Sequence, residues 1–286
     1  MIGHEAGVGR PGEDSRIAAF RRALTVDEKS RATVEKYCRE AGRLLSWLQG
    51  RAITPERMLE YRALLRERHR PQTVNGKLSA VNAFLRCTGQ ADCCVKLLRI
   101  QRRAFVQDSR ELTENEYRRL VCAAQSRQNE RLRLVMETLC ATGIRVSELR
   151  GITVEAVRCG RAEIAMKGKV RVVLIPKRLR SALRAYAQRL GVGSGCIFRT
   201  RRGKPLDRSN IWRDMKRLGA EARVCQSKIF PHNLRHLFAR TYYAMEKDIA
   251  HLADILGHSS VETTRIYLAV NEREHGRVLE RMRLII

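Results

Sequence analysis

With 286 residues, 44% of them hydrophobic, the chain has enough apolar surface for two domains of ordinary size without disulfide staples, which excludes a disordered polymer. Its 57 Lys and Arg stand against 30 Asp and Glu, a net charge of +27 spread along the whole sequence. Nucleic acid is the default partner for such an excess, because each neutralised phosphate releases counterions; a membrane surface, or plain solubility, is the competing explanation.

Residues 1–14, glycine-rich with one proline, read as a flexible tail. From 15 to 105 the pattern is helical throughout: RIAAFRRAL, TVEKYCREAGRLLSWLQG, TPERMLEYRALLRERH and TVNGKLSAVNAFLRCTG. Ser30 or Thr33, Thr54 before Pro55, and Thr73 are the expected caps, and Gly50 and Gly89 follow helix ends. This segment holds 20 Lys and Arg against 8 Asp and Glu, so the bundle it predicts is expected to straddle a duplex.

A basic stretch, LRIQRRAFVQDSRE, ends in the linker assigned to residues 106–111 and leads into a second domain over 112–275. Thr113 with Glu116 three residues on makes a capping box. The following helix, NERLRLVMETLCATG, stops at Gly143, which places Arg145 at a helix-to-helix turn. The amides and positive dipole end of the second helix would there join a guanidinium, and a phosphate fits such a place. RAEIAMKGKVRVVLIP, two runs of strand formers across Lys167-Gly168-Lys169, predicts a β-hairpin with a lysine at its tip. Two helices, RLRSALRAYAQRL and RSNIWRDMKRLGAEA, follow around the loop GVGSGCIFRTRRGKPL.

In PHNLRHLFARTYYAMEKDIAHLADILGHSSVETTRIYL, residues 231–268, His232 and Arg235 share a helix face while Leu234, Leu237 and Phe238 turn toward a core. Gly257 can end a helix in a left-handed cap and leave His258 on the turn; Ser260 restarts helix, with Tyr267 at its far end. Taken singly, each has a plainer reading: a capping or packing histidine, an arginine in an ion pair, a solvated lysine at a hairpin tip, a tyrosine at a core edge. Residues 276–286 end the chain with Val278, Leu279, Met282, Leu284, Ile285 and Ile286, an apolar face that needs cover from its own domain or from a neighbour.

The nine cysteines are scattered, with no Cys-x-x-Cys pair and no histidines at zinc spacing beside Cys93 and Cys94. They read as small hydrophobes of a reducing compartment. The first residues lack the apolar core of a signal peptide, and no apolar run approaches the roughly eighteen residues of a membrane span, so a cytoplasmic location off the membrane is expected.

His232-Asn-Leu-Arg235, Leu256-Gly257-His258 and Tyr267, nine residues further on, resemble the C-terminal signature of the tyrosine recombinases, the phage-integrase and Xer-like family. ATGIRVSEL resembles that family's first arginine box, with Glu148 at its acidic position. The resemblance implies a mainly α fold with a small β-hairpin, arranged as a two-domain C-shaped DNA clamp: a helical core-binding domain and a mixed α/β catalytic domain. It implies that Tyr267 is the nucleophile and that Arg145 and Arg235 clamp the nonbridging oxygens. His232 would be the base, and His258 would hydrogen-bond the phosphate or the nucleophile. The family's hairpin lysine, usually within Gly-Lys-Gly, would protonate the leaving 5′ hydroxyl. Here Met166 replaces the first glycine and the distance to Pro176 is one residue longer, so Lys167 is the choice and Lys169 stays open.

The chemistry suits these residue types. Arginines hold developing phosphate charge bidentately without ever losing their own, and a phenol needs cationic neighbours and a base to ionise. The resemblance calls for no metal and no nucleotide cofactor. It implies double-stranded DNA as substrate and a homo-tetramer on synapsed DNA, formed from a monomer or weak dimer, with residues 276–286 as a helix exchanged between subunits. Integration and excision of a mobile element is the expected role. Xer-type chromosome-dimer resolution, a type IB topoisomerase-like activity and a non-catalytic DNA-binding regulator are the alternatives.

Overall fold

The computed structural model describes residues 14–100, 111–166, 169–200, 202–258 and 260–265. The chain divides into two units, Met1–Arg102 and Arg103–Ile286. The tail as far as residue 13, most of the expected linker, Lys167, Tyr267 and the segment 276–286 lie outside the described residues.

The first unit is built from α1 (Ser15–Val26), α2 (Arg31–Leu48), α3 (Pro55–Arg68) and α4 (Pro71–Cys87). Asp14, Ser30 and Thr54 each accept a hydrogen bond from an amide of the first turn, satisfying donors that the helix itself cannot. α4 begins at Pro71, two residues before the expected cap Thr73. Proline at the first helical position loses no hydrogen bond and arrives with its φ already set, so the helix starts there. Phe20, Leu44, Leu48, Met58, Leu78, Phe84 and Leu85 are all buried at the centre, with Phe20 edge-on to Phe84 at 5.4 Å. Glu40 on α2 is buried and ties α2 to α4, accepting from Lys77 Nζ at 2.9 Å and from Arg43 Nη1 at 2.8 Å. Asn75 and Asn82, two turns apart on α4, hold the chain that leaves the bundle. Each side chain both donates to and accepts from one backbone residue, Leu98 and Val95 respectively.

The second unit runs α5 (Glu114–Ser126), α6 (Glu130–Thr142), a 3₁₀ turn (Val146–Gly151), α7 (Val154–Cys159), β1 (Arg161–Met166), β2 (Lys169–Leu174), α8 (Lys177–Arg189), α9 (Arg208–Arg217), α10 (Pro231–Glu246), α11 (Ile249–Leu256) and α12 (Val261–Arg265). The capping box of Thr113 and Glu116 is formed. α6, with Leu132, Leu134, Val135, Met136 and Leu139 all buried, packs against α5, α8, α9 and α10 and is the centre of the core. β1 and β2 pair antiparallel from Arg161↔Leu174 to Met166↔Lys169. Their inner face buries Ala162, Ile164, Val173 and Ile175.

A second local expectation fails. The segment after Arg145 is a six-residue 3₁₀ turn, and the amide of Arg145 donates to Glu148 Oε2 at 2.7 Å. The donor expected to face a phosphate is taken by a carboxylate of its own turn. Among the described residues no helix is long and apolar enough to cross a membrane.

Candidate active site

Four segments distant in sequence bring their functional groups together in the second unit. The first is the end of α6. Gly143 adopts φ +63°, and a Cβ there would lie 2.7 Å from Phe238 Cε1 and 3.0 Å from Leu256 Cδ2. Only glycine gives both the left-handed cap and the close approach, and the turn it makes delivers Arg145. Arg145 is clasped by Glu148 a second time, Nη1 donating to Oε1 at 2.9 Å, yet its side chain stays 34% exposed.

The second segment is the start of α10, where Pro231 occupies the first turn. Arg235, one turn in, is 1% exposed and among the largest fully buried side chains. Its Nη1 donates to the Gly143 carbonyl at 2.6 Å and its Nη2 to the Leu256 carbonyl at 2.8 Å. Both carbonyls belong to helix C-termini, where orphan acceptors and the negative dipole end stabilise a cation.

The third segment is the end of α11 and the turn beyond it. Gly257 closes the helix at φ +66°, and the His258 amide donates back to Ala253 O at 2.9 Å. His258 Nε2 lies 2.9 Å from Arg235 Nη2, and its Nδ1 lies 2.8 Å from Oγ1 of Thr264, which is fully buried on α12. A guanidinium can only donate, so Nε2 is the acceptor and Nδ1 carries the proton that Thr264 receives. Burial, followed by the charges of Arg235, Arg145 and Arg171, takes the His258 pKa down to about 4, so the ring is neutral at physiological pH.

The fourth segment is β2, which turns Arg171 inward. Its Nη2 donates to Glu148 Oε2 at 2.7 Å and its Nη1 donates to the Ile255 carbonyl. Glu148, 3% exposed, thus answers two arginines. Burial alone would raise its pKa, but the Arg145 amide and the charge of Arg171 hold it below the usual carboxylate value.

His232 lies one turn before Arg235 and is exposed as a residue. The protein packed around its ring, then the charges of Arg235, Arg208 and Arg145, lower its pKa, so it is neutral and can accept a proton. His236 stacks edge-on against it at 4.7 Å.

Of the residues expected from sequence, Arg145, His232, Arg235 and His258 converge here. Lys167 and Tyr267 lie outside the described residues. Two residues that sequence reasoning passed over, Arg171 and Thr264, are built into the same network. For Arg171 the only available signal was an arginine inside an apolar strand run; for Thr264 there was none, since it stands in an ordinary helical segment. Among the described residues no group of three or more His, Cys, Asp or Glu side chains is gathered to hold a metal.

Residues 110–274 match the model of the phage integrase family. The chain is 31% identical over 279 residues to tyrosine recombinase XerA of Thermococcus kodakarensis, covering 94% of this chain and 95% of that protein. It is similar to the crystal structure of XerA recombinase at 28% identity and a TM-score of 0.54, over 95% of this chain and 99% of that one. A lambda integrase dimer bound to a COC′ core site shares the fold at a TM-score of 0.70 and 18% identity, over 88% of this chain and 94% of that one. The chain therefore belongs to the phage integrase family of tyrosine recombinases. Its mainly α fold with a small hairpin is the one that the sequence resemblance implied.

Proposed function

We propose that the protein is a site-specific DNA recombinase that cleaves and rejoins strands through a 3′-phosphotyrosine intermediate. The observation that carries this reading is the convergence of Arg145, Arg235 and two neutral histidines from separate segments of one unit, a set of cations and proton acceptors that suits a phosphodiester. Arg145, the more exposed guanidinium, takes a nonbridging oxygen, and buried Arg235 adds charge from behind.

Tyr267 attacks phosphorus while His232 accepts the phenolic proton. The bond from phosphorus to the 5′ oxygen breaks, and Lys167 gives that oxygen its proton; Lys169 is the alternative donor. The phosphotyrosine keeps the bond energy, so a 5′ hydroxyl from another strand reverses the step and joins new partners. His258, in accepting from Arg235, holds the guanidinium plane in place.

The basic helical segment 15–105 grips the duplex, 112–275 does the chemistry, and 276–286 passes between subunits of a tetramer on synapsed DNA. On α9, Arg208, Trp212 and Lys216 stand at helical spacing. Trp212 is 47% exposed with Lys216 over its ring, a face suited to DNA beside His232. Nine free cysteines suit a reducing cytoplasm. The setting is integration or excision of a mobile element, with Xer-type chromosome-dimer resolution the second reading, favoured by the XerA relative that matches 94% of the chain.

A suicide DNA substrate that traps covalent protein tests the nucleophile. The wild type should form the adduct, and Tyr267→Phe should bind the same DNA and form none. An adduct from the Phe variant would overturn the assignment and turn attention to Tyr242 and Tyr243.

A further inference from the structure

β2 holds its register against its own apolar pattern. Val170, Val172 and Leu174 face outward, 67%, 54% and 74% exposed, while Arg171, Val173 and Ile175 face inward. A slip of one residue would exchange these sets, burying three aliphatic side chains and releasing the arginine. Ala162 and Ile164 on β1 fix which face is inner, but they do not call for a cation opposite Ile164, the residue with which Arg171 pairs.

What keeps Arg171 in is a pair of acceptors on two other segments: Glu148 Oε2 at 2.7 Å, and the carbonyl of Ile255 in the last turn of α11. Its stem lies so close to the next turn that a Cβ on Gly257 would meet Arg171 Cδ at 2.5 Å and Nε at 2.8 Å. Glu148 in turn holds both the amide and the guanidinium of Arg145. One side chain therefore joins the hairpin, the turn that carries Arg145 and the turn that carries His258.

We infer that Arg171 is a positioning residue for phosphoryl transfer, fixing Arg145 through Glu148 and His258 through the α11 terminus without itself touching DNA. The inference rests on the recombinase reading above. Lysine cannot take its place, because one ammonium does not span two acceptors on separate segments as a planar fork does. Its work concerns phosphate charge and leaves the leaving-group proton alone, so its loss is felt in proportion to the charge that Arg145 must hold.

The test is single-turnover cleavage by the wild type, Arg171→Ala, Arg171→Lys and Arg145→Ala. Two substrates are compared: one with an ordinary scissile phosphodiester, and one with a methylphosphonate there, which lacks one nonbridging negative charge. Both Arg171 variants should cleave the phosphodiester about 10²-fold more slowly, the loss expected when a reacting group is displaced by about an ångström. Gel-shift binding of the same DNA should be unchanged. On the methylphosphonate most of that deficit should vanish, as it should for Arg145→Ala.

An equal deficit on both substrates, full activity of Arg171→Lys, or loss of DNA binding together with cleavage would reduce Arg171 to a structural staple and overturn the inference. If the wild type forms no adduct on either substrate, or Arg145→Ala is as impaired on one as on the other, the recombinase reading itself falls, and this inference with it.

Discussion

Gly143→Ala is the sharpest test of how the site is assembled, because one methyl group perturbs it in two separable ways. The first is backbone strain. At φ +63° an L-residue with a Cβ costs about 1–2 kcal/mol. The second is overlap, since the new methyl would press on the Phe238 ring, 2.7 Å from Cε1 and nearer still to Cδ1, and on Leu256. Overpacking of that kind adds about 1–3 kcal/mol, for a total of about 2–5 kcal/mol. At about 2–4 °C per kcal/mol for a unit of this size, the melting temperature should fall by roughly 4–20 °C.

Gly191→Ala is the matched control. It shares the left-handed backbone at φ +64° but has nothing within 4 Å of its Cβ direction, so it carries the strain alone. Thermal unfolding followed by circular dichroism separates the two. Gly143 also presents the carbonyl that receives Arg235 Nη1 at 2.6 Å, so strand cleavage should fall further than DNA binding. A Gly143→Ala protein that melts within about 2 °C of Gly191→Ala would refute the steric reasoning, since that gap corresponds to less than about 1 kcal/mol.

Two further outcomes follow. Lys167→Ala should slow cleavage of ordinary DNA far more than cleavage of a substrate whose 5′ leaving oxygen is replaced by sulfur, because a thiolate departs without a proton; equal slowing on both removes the general-acid role and moves the question to Lys169. Stability should decline as pH falls from about 6.5 toward 4: His258 and His236, with pKa values lowered to about 4 and about 3, stay neutral when folded while the unfolded chain takes up protons from its ordinary 6.5 downward. Stability from these groups is complete above 6.5 and is lost toward the folded values, so a melting temperature flat from pH 7 to 5, or an unchanged slope in His236→Asn, counts against it.

Much of this could be read in the sequence because the signals are local. Ser30, Thr54, Thr113 with Glu116, Gly143 and Gly257 each act on the helix end beside them, and those helix ends fall where the sequence puts them. Local competition explains the misplaced start of α4, where Pro71 outranks Thr73, and the 3₁₀ turn after Arg145, where Glu148 claims the amide expected for a ligand. Arg171 and Thr264 were invisible for a different reason. Their partners are 23 residues away at Glu148 and six away at His258, across turns whose geometry no spacing rule supplies. An arginine in a strand run reads as outward by alternation; the Glu148 carboxylate and the Ile255 carbonyl waiting inside reverse it.

The way Arg235 is kept buried matters for what the site can do. Elsewhere buried charge is met by opposite charge: Glu40 by Lys77 and Arg43, and Arg240 by Glu111. Three of the bonds to Arg235 come from neutral groups: two carbonyls at helix ends and one imidazole nitrogen. Partial charges of about half a unit at each helix terminus offset the desolvation of the guanidinium without neutralising it. Glu148, the carboxylate shared by Arg145 and Arg171, offsets one of their two charges. The histidines add none, because burial first and then the same cations hold them neutral. Two guanidiniums that share one carboxylate keep positive charge to offer, which suits the charge a phosphodiester carries and what develops as phosphorus is attacked.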